Sequence, residues 1–180
     1  MIRYGRANSD KDLTQILELQ KKNLPTAITS EEKKTEGFVT VSHSIEILST
    51  MNAVCPHVIA KSDGILIGYA LCMHPQFADD IEVLRPMFEQ IDSILPLGKK
   101  YIIMGQICID KAFRGQGVFR QLYRTMQNTV RPEFDHIITE VDAENTRSLQ
   151  AHYAVGFEDL KSYSSEHRIW RLMSLNVSYL

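Results

Sequence analysis

The fold is decided by residues 101–130, which read YIIMGQICIDKAFRGQGVFRQLYRTMQNTV. The opening part, Tyr101 to Ile109, is mostly apolar without polar alternation, which predicts a strand buried on both faces. The closing part repeats apolar residues at helical spacing, and Pro132 lies just beyond, where a helix must stop. The predicted core face of this helix consists of Phe119, Leu122, Tyr123, Met126 and Val130. The stretch therefore predicts a strand, a loop and an amphipathic helix.

The loop between this strand and this helix is suited to phosphate binding. Gly115 and Gly117 can adopt positive φ and let a ligand approach the backbone, and Arg114 supplies a positive charge. The first turn of the following helix has unpaired N–H groups and partial positive charge. The alternative is an ordinary connection with a surface arginine. A Walker loop is excluded because no Gly-Lys-Ser/Thr follows, and a dinucleotide G-x-G-x-x-G motif does not match this loop.

Residues 107–117, ICIDKAFRGQG, resemble the acetyl-CoA signature of the GNAT superfamily of N-acetyltransferases. That signature is a strand followed by Arg/Gln-x-x-Gly-x-Gly/Ala. Arg114 and Gly117 match it, whereas Phe119 stands where the last Gly or Ala is usual. A phenylalanine still supplies its backbone N–H, so the resemblance implies a phosphate site with less room at that turn.

A second resemblance to the same family lies downstream. Residues 137–145 look like the family's next strand, and Asn145-x-x-Ser148 and Gly156-Phe157 fall at the expected separation. The resemblance covers roughly the whole chain, with its specific content in residues 107–157. It implies an α/β (α+β) fold with a mixed, mostly antiparallel central sheet flanked by helices.

The remaining elements follow from hydrophobic periodicity and turn signals. We expect a strand at 1–7, then a helix capped by Ser9 and a loop at 26–37. Helical spacing returns from Val41 to Met51. Strands are expected at 57–60 and 65–73, joined by a turn at Asp63-Gly64. A bulge is expected near Gly68. Leu84 to Leu95 predict an extra helix between this hairpin and the central strand, and residues 158–177 predict a closing hairpin. The unit 101–141 predicts two parallel strands joined by a right-handed crossover.

Composition limits the classes of function. The 180 residues predict one domain, 1–180, and 44% hydrophobic with 23% charged residues is ordinary for a globular protein. A net charge of −2 argues against nucleic-acid binding. We expect no membrane span, no signal peptide, no disulfide framework and no metal site, because long apolar runs and paired cysteine motifs are missing. These features favour a cytoplasmic monomer or homodimer.

The resemblance implies specific contacts with acetyl-CoA, the expected cosubstrate. Arg114 would meet a pyrophosphate oxygen. Asn145 would contact the cofactor arm with Ser148 nearby; the alternative is a plain helix N-cap, and one residue could serve both purposes. The strand backbone of Ile107, Cys108 and Ile109 would pair with pantetheine, and the N–H groups of Gly115, Gln116, Gly117, Val118 and Phe119 would bind the pyrophosphate.

Acetyl transfer to an amine requires removal of a proton from the amine and stabilisation of the leaving thiolate. Many family members carry a tyrosine four residues before the glycine of Gly-Phe, where this chain has His152, with Tyr153 one place later. The group that protonates the leaving thiolate stays open between three alternatives: His152, Tyr153 and no side chain at all. Glu140 matches a glutamate that acts as base in some ribosomal-protein and peptide N-terminal acetyltransferases. Asp142 is the runner-up, and a purely structural ion pair is the alternative for Glu140.

The leading interpretation is an acetyl-CoA-dependent N-acetyltransferase that acts on a primary amine of a small molecule or peptide. The alternatives are a non-catalytic acyl-CoA-binding or sensing domain and, less favoured, a nucleotide-binding α/β protein. We expect the acceptor to be selected by residues 25–40, 74–100 and 163–167, which contain no recognisable motif.

Overall fold

The computed structural model describes residues 1–29, 31–32 and 38–177. The loop predicted at 26–37 lies partly outside these residues. The described strands are β1 (Ile2–Arg6), β2 (Val58–Ser62), β3 (Ile65–Met73), β4 (Tyr101–Ile109), β5 (His136–Asp142), β6 (Glu158–Ser165) and β7 (Arg168–Asn176). The described α-helices are α1 (Asp10–Lys22), α2 (Ile45–Val54), α3 (Arg85–Ile94), α4 (Val118–Val130) and α5 (Thr146–Tyr153).

The described strands form one seven-stranded sheet in the order β1-β2-β3-β4-β5-β7-β6. Within it β4 and β5 are parallel, and every other adjacent pair is antiparallel. A parallel pair needs a crossover, which α4 supplies. The predicted mixed, mostly antiparallel α/β fold is confirmed, as is the hairpin that closes the sheet.

Each face of the sheet is covered by its own hydrophobic core. One core contains Ile16, Leu48 and Ile91, which come from α1, α2 and α3. The other contains Leu122 and Met126 of α4 together with Leu149 of α5. Successive strand residues therefore point to opposite cores, which explains why β3 and β4 show no polar alternation.

The extra helix predicted between the hairpin and the central strand is α3. Its Met87, Phe88 and Ile91 are buried against the α1 side of the sheet. Pro86 is tolerated because the first turn of a helix does not use its N–H groups. The inserted segment therefore adds a helix that packs on this face of the sheet.

The boundary predicted for α2 was wrong, because the helix begins at Ile45 rather than near Val41. Ser44 caps it, its side chain accepting a hydrogen bond from the Ile47 N–H. Upstream, the Val41 carbonyl accepts from Gln106 and the His43 N–H donates to Gln20. Since side chains satisfy these backbone groups, the segment stays extended although its apolar spacing is helical.

The hairpin between β2 and β3 turns at Asp63 and Gly64, both with positive φ (49° and 81°), as expected from their sequence. The register shifts between Ala60 and Lys61, so that β3 has one extra residue next to Gly68. A Cβ on Gly68 would lie 3.3 Å from the Cys108 carbonyl oxygen and 3.4 Å from Leu122 Cδ1. A glycine at this position therefore allows β4 and α4 to pack closely on β3.

Two further observations concern the described residues alone. None of their helices is long and apolar enough to cross a membrane. Within the same residues, no group of three or more His, Cys, Asp or Glu side chains is arranged to hold a metal ion.

Replacing Gly68 by alanine tests the close packing at this bulge. We expect Gly68→Ala to lower the free energy of unfolding by about 1–3 kcal/mol, because the new methyl group meets a backbone oxygen that cannot move aside. Urea denaturation measures the change. Gly5→Ala is the matched control, since a Cβ there meets nothing within 4 Å. Equal effects of the two substitutions would contradict the packing argument.

Candidate active site

The candidate site begins where β4 and β5 separate. Their parallel pairing covers Tyr101 to Ile103 on β4 and His136 to Ile138 on β5, although both strands continue further. The register between β3 and β4 shifts at the same point, leaving Gly105 as an extra residue on β4. The Thr139 hydroxyl donates to the Met104 carbonyl at 2.9 Å. Beyond that bond, the described part of β4 is paired on its β3 side alone, so its other edge can pair with a ligand.

A groove of about 720 Å³ lies along this free edge. Its walls come from residues 38–39, the end of β4, the loop after it, the first turn of α4, and α5 with the two residues that follow it. Several of the residues predicted to bind the cofactor line it, namely Ile107, Cys108, Ile109, Arg114, Gly115, Gly117, Val118, Phe119 and Ser148. Burial raises the pKa of the Cys108 thiol to about 12, so this cysteine stays protonated.

The floor of the groove is suited to an anion. Gly115 and Gly117 have positive φ (74° and 79°), and Gly117 precedes the first residue of α4. No side chain among the described residues caps α4, so its first-turn N–H groups remain available at the groove. The N-terminus of α5 also reaches the groove through Thr146 and Ser148. Two helix N-termini therefore bring partial positive charge to one place.

Arg114 connects the loop to its surroundings. Its Nε donates to the Ile109 carbonyl at 3.1 Å, and its Nη2 donates to Asn23 Oδ1 at 2.8 Å. These bonds anchor the start of the loop to the end of β4 and to the C-terminus of α1. Arg114 is also one of the residues that line the groove. Its predicted contact with pyrophosphate stays a prediction.

Asn145 acts as the N-cap of α5. Its Oδ1 accepts from the Ser148 N–H at 3.3 Å, and its Nδ2 donates to the Phe38 carbonyl at 3.4 Å. The side chain is buried and lies behind the groove, whereas Ser148 lines it. Contact of Asn145 with a cofactor arm, and the role of Gln116 in the exposed turn, stay predictions.

A second, smaller cavity of about 150 Å³ adjoins the groove at the bulge of β4, and we call it the bulge cavity. Gly105 lines the bulge cavity and Ile107 lines the groove, with Gln106 between them. The bulge cavity is formed by Thr40, Val41, Leu84, Met87, Ile103, Met104, Gly105, Glu140, Tyr163, Ser165, Glu166, Arg168 and Trp170. The three segments expected to select the acceptor each contribute to this lining.

Glu140 of β5 lies in the bulge cavity, where its carboxylate accepts a short hydrogen bond from the Tyr163 hydroxyl. Burial raises the pKa of Glu140 to about 7, an effect that the tyrosine bond opposes. Asp142, the runner-up, accepts from Arg168 Nη1 at 3.3 Å. At neutral pH, Glu140 is therefore a carboxyl group that can both lose and take up a proton.

His152 is buried within an aromatic cage formed by Phe119, Tyr123 and Phe157. Its Nδ1 lies 2.7 Å from the Ser148 carbonyl oxygen, and its Nε2 lies 2.8 Å from the Tyr123 hydroxyl. A carbonyl only accepts, so Nδ1 carries the proton and Nε2 accepts from Tyr123. Burial lowers the pKa of His152 to about 4. The imidazole is neutral with both nitrogens engaged, and it does not line the groove.

Tyr153 points away from the groove. Its hydroxyl donates to the Asp159 carboxylate (3.0 Å to Oδ2) and accepts from Arg171 at 3.4 Å. The structure therefore places Glu140 in the lining of the bulge cavity, whereas His152 lies behind Phe119 and Ser148 and neither it nor Tyr153 lines the groove. The catalytic roles of all three stay predictions.

Gln106, which was not singled out in the sequence, organises the junction between the groove and the bulge cavity. Its Oε1 accepts from the Tyr69 hydroxyl at 2.6 Å and from Gln20 Nε2 at 2.7 Å. Its Nε2 donates to the Val41 carbonyl at 2.8 Å. The sequence did contain a signal for this role, because Gln106 is a polar residue beside a glycine in an otherwise apolar strand. A polar side chain buried in such a strand needs hydrogen-bond partners.

The bond to Val41 matters because residues 38–41 separate the two spaces. Phe38 and Val39 line the groove, whereas Thr40 and Val41 line the bulge cavity. At its other end this segment is held by the bond from Asn145 to the Phe38 carbonyl. We call residues 38–41 the partition segment.

Sequence comparison agrees with this geometry. The model of the acetyltransferase (GNAT) family matches residues 14–157. The chain belongs to this family. No curated protein matches the acetyltransferase significantly.

Solved structures of similar fold cover nearly the whole acetyltransferase. The ribosomal-protein-S18-alanine N-acetyltransferase of Escherichia coli is 12% identical with a TM-score of 0.66, over 100% of this chain and 96% of the other. Ard1 of Thermoplasma volcanium is 12% identical with a TM-score of 0.67, over 97% of both chains. The protein yncA of Salmonella typhimurium, solved with acetyl-CoA, is 12% identical with a TM-score of 0.67, over 100% of this chain and 96% of the other. At this identity the likeness shows a shared fold.

Replacing Gln106 tests whether it holds the junction together. We expect Gln106→Leu to lower the free energy of unfolding by about 2–4 kcal/mol, because each buried polar group left unpaired costs about 1–3 kcal/mol. Chemical denaturation measures this change. Tyr69→Phe removes one of the three bonds and should cost about 1 kcal/mol. A Gln106→Leu protein as stable as the wild type would contradict this role.

Proposed function

We propose that this acetyltransferase transfers an acetyl group from acetyl-CoA directly to a primary amine of a small molecule or peptide. The observation that carries the proposal is the position of Glu140. Its carboxyl, with a pKa of about 7, lies in a cavity that adjoins the groove at the β4 bulge. A base at this point can remove a proton from an amine that attacks an acyl group held in the groove.

Acetyl-CoA is the acyl donor that family membership supports, and the groove fits its parts. The donor supplies an activated acetyl thioester. The free edge of β4 at residues 107–109 would pair with the amide-bearing pantetheine arm. The N–H groups of residues 115–119 would hold the pyrophosphate at the start of α4. A Salmonella typhimurium structure of the same fold contains acetyl-CoA, which supports the choice of donor.

Glu140 is the proposed base. A lysine-like amine has a pKa of about 10.4 and an α-amine about 8, so either one is mostly protonated at neutral pH. A carboxylate with a pKa near 7 accepts such a proton more readily than one with an ordinary pKa. The buried thiol of Cys108 stays protonated, which favours direct transfer over an acyl-enzyme intermediate.

The leaving thiolate needs little help from a side chain. A thiol of pKa about 8.5 is a stable leaving group near neutral pH. His152 would have to break bonds to both Tyr123 and Ser148 before it could donate a proton, and Tyr153 faces Asp159. Of the three alternatives left open by the sequence, the absence of a side-chain acid is the one that this geometry favours.

Two expectations from the sequence remain proposals. A cytoplasmic location and a monomeric or homodimeric state are both compatible with the described residues. Neither enters the reaction proposed above.

Replacing Glu140 by glutamine tests the base. We expect kcat to fall by about 10²- to 10³-fold at neutral pH, a typical contribution of a general base. In the wild type, kcat should rise with pH through about 7 as Glu140 loses its proton, then level off, and the variant should lack this rise. Thiol release followed across pH measures both effects. Asp142→Asn is the matched control and should keep the rise in kcat.

The same substitution should change stability in a defined direction. Because the pKa of Glu140 is higher in the folded chain, folding stability declines as pH rises from about 4.5 to about 7. Glu140→Gln removes this decline, so its stability relative to the wild type should increase over that range.

Tight acetyl-CoA binding combined with no acetyl transfer to any amine would instead favour a non-catalytic acyl-CoA-binding domain.

Paired substitutions test the acid. We expect His152→Gln and Tyr153→Phe each to keep kcat within about tenfold of the wild type, because neither side chain reaches the groove. Turnover should be measured together with thermal unfolding, since His152 is part of the core. A loss of 100-fold or more in one variant, with acetyl-CoA binding intact, would identify that residue as the acid.

A further inference from the structure

Two cysteines outside the candidate active site meet in the core on the α4 side of the sheet. Cys55 follows the last residue of α2, and Cys72 lies on β3. Because β2 and β3 run antiparallel with Val58 opposite Ala70, the residues just before β2 pass those near the end of β3. The Cys72 N–H accordingly donates to Nδ1 of His57 at 3.1 Å. This register brings the two cysteine side chains together, and their thiols are hydrogen-bonded to each other.

An arginine is directed at the first of these two sulfur atoms. Arg6 is half-buried on β1, where its Nε donates to the Pro56 carbonyl at 3.1 Å and its Nη2 donates to Cys55 Sγ at 3.4 Å. The bond to Pro56 fixes the orientation of the guanidinium towards the sulfur. Among the residues that the structure describes, Arg6 forms no ion pair with a carboxylate. Its positive charge is therefore placed to stabilise a thiolate at Cys55.

The surroundings give the two thiols different roles. The hydrogen bond from Cys72 and the positive charge of Arg6 lower the pKa of Cys55 to about 7, against the effects of burial and of the Glu133 carboxylate. Donating that bond, together with burial, raises the pKa of Cys72 well above its usual range. Cys55 is 7% exposed, whereas Cys72 is 0% exposed. The thiol that ionises more readily is thus also the one nearer to solvent.

We propose that Cys55 and Cys72 are a redox-active pair, in which a hydroperoxide oxidises Cys55 and Cys72 then closes a disulfide with it. A thiolate that is poised beside a second thiol is the arrangement that such chemistry requires. The inference does not depend on acetyl transfer, because Arg6, Cys55 and Cys72 line neither the groove nor the bulge cavity.

The reaction needs two steps. The Cys55 sulfur attacks one oxygen of the peroxide, the O–O bond breaks, and the departing alkoxide takes up the proton that Cys55 released, which leaves Cys55 as a sulfenic acid. The Cys72 sulfur then attacks the Cys55 sulfur, and the departing hydroxide takes up the Cys72 proton as water. Two thiols have then lost two electrons to one peroxide bond, and the products are a disulfide, an alcohol and water.

Oxidation of the wild-type protein tests the pair directly. We expect an equimolar amount of hydrogen peroxide at neutral pH to consume two of the three thiols and to lower the intact mass by about 2 Da, because two hydrogen atoms are lost. Peptide mapping should place the disulfide between Cys55 and Cys72, and dithiothreitol should restore both thiols. Three unchanged thiols, a disulfide between separate chains or a disulfide that includes Cys108 would overturn the proposal.

Cys108 is an internal control that separates chemical activation from access. It is 6% exposed, close to the 7% of Cys55, and it lines the groove. Burial raises the pKa of Cys108 to about 12. With iodoacetamide under native conditions, we expect Cys55 to be alkylated at least about tenfold faster than Cys108. Equal rates would show that both thiols react only when the fold opens, and would contradict the activation of Cys55.

Replacing Arg6 tests the role of the cation. We expect Arg6→Gln to slow the oxidation of Cys55 by hydrogen peroxide at pH 7 by about fivefold or more, because less of the sulfur is then ionised. Arg3→Gln is the matched control, since Arg3 is an exposed arginine of the same strand, and it should react at the wild-type rate. Thermal unfolding of both variants checks that the fold is kept. Equal rates in the two variants would contradict the role of Arg6.

Replacing each cysteine of the pair tests the order of the steps. In the Cys72→Ala protein, hydrogen peroxide should leave Cys55 as a sulfenic acid that dimedone labels. In the Cys55→Ala protein, dimedone should label nothing at Cys72. Labelling of Cys72, or no labelling of Cys55 in the first variant, would overturn this order. Circular dichroism shows whether each variant folds, and where one does not, the mass measurement on the wild-type protein decides the proposal.

Discussion

The separation of β4 from β5 after Ile103 and Ile138 is the constraint on which the rest of the site depends. If β4 and β5 stayed paired along their whole length, β4 would have no free edge for a ligand and no cavity would lie beside Glu140. The extra residue Gly105 changes the course of β4 at the point of separation, and the Thr139 hydroxyl satisfies the Met104 carbonyl there. Gln106 then binds the displaced strand to α1, β3 and the partition segment. Both the groove and the bulge cavity exist because of this one local departure from regular pairing.

The polar groups around the two spaces have different electrostatic surroundings. At the groove, two helix N-termini supply partial positive charge at an open surface, which suits a diphosphate. At the bulge cavity, burial raises the pKa of Glu140 to about 7. The same burial effect acts oppositely on His152, lowering its pKa to about 4 and keeping the imidazole neutral. Desolvation favours the uncharged form in both cases, so it leaves Glu140 able to exchange a proton near neutral pH and keeps His152 neutral.

Much of the fold followed from the sequence because its signals are local. Apolar runs, Ser9 as a cap, the Asp63-Gly64 turn and the glycines after β4 each act within a few residues. The start of α2 was missed because distant side chains, Gln20 and Gln106, bind the backbone at Val41 and His43. The orientation of His152 was equally inaccessible, since it depends on a bond to Tyr123 of another helix. Motif spacing locates a residue on an element, whereas the direction of its side chain depends on contacts between elements.

The partition segment and the inserted helical region between β3 and β4 differ in how a substitution would act on the two spaces. Because Phe38 and Val39 line the groove while Thr40 and Val41 line the bulge cavity, a substitution in the partition segment changes the walls of both. The inserted helical region contributes Leu84 and Met87 to the bulge cavity and nothing to the described walls of the groove. A substitution of Leu84 or Met87 therefore reshapes the bulge cavity and leaves the described walls of the groove unchanged.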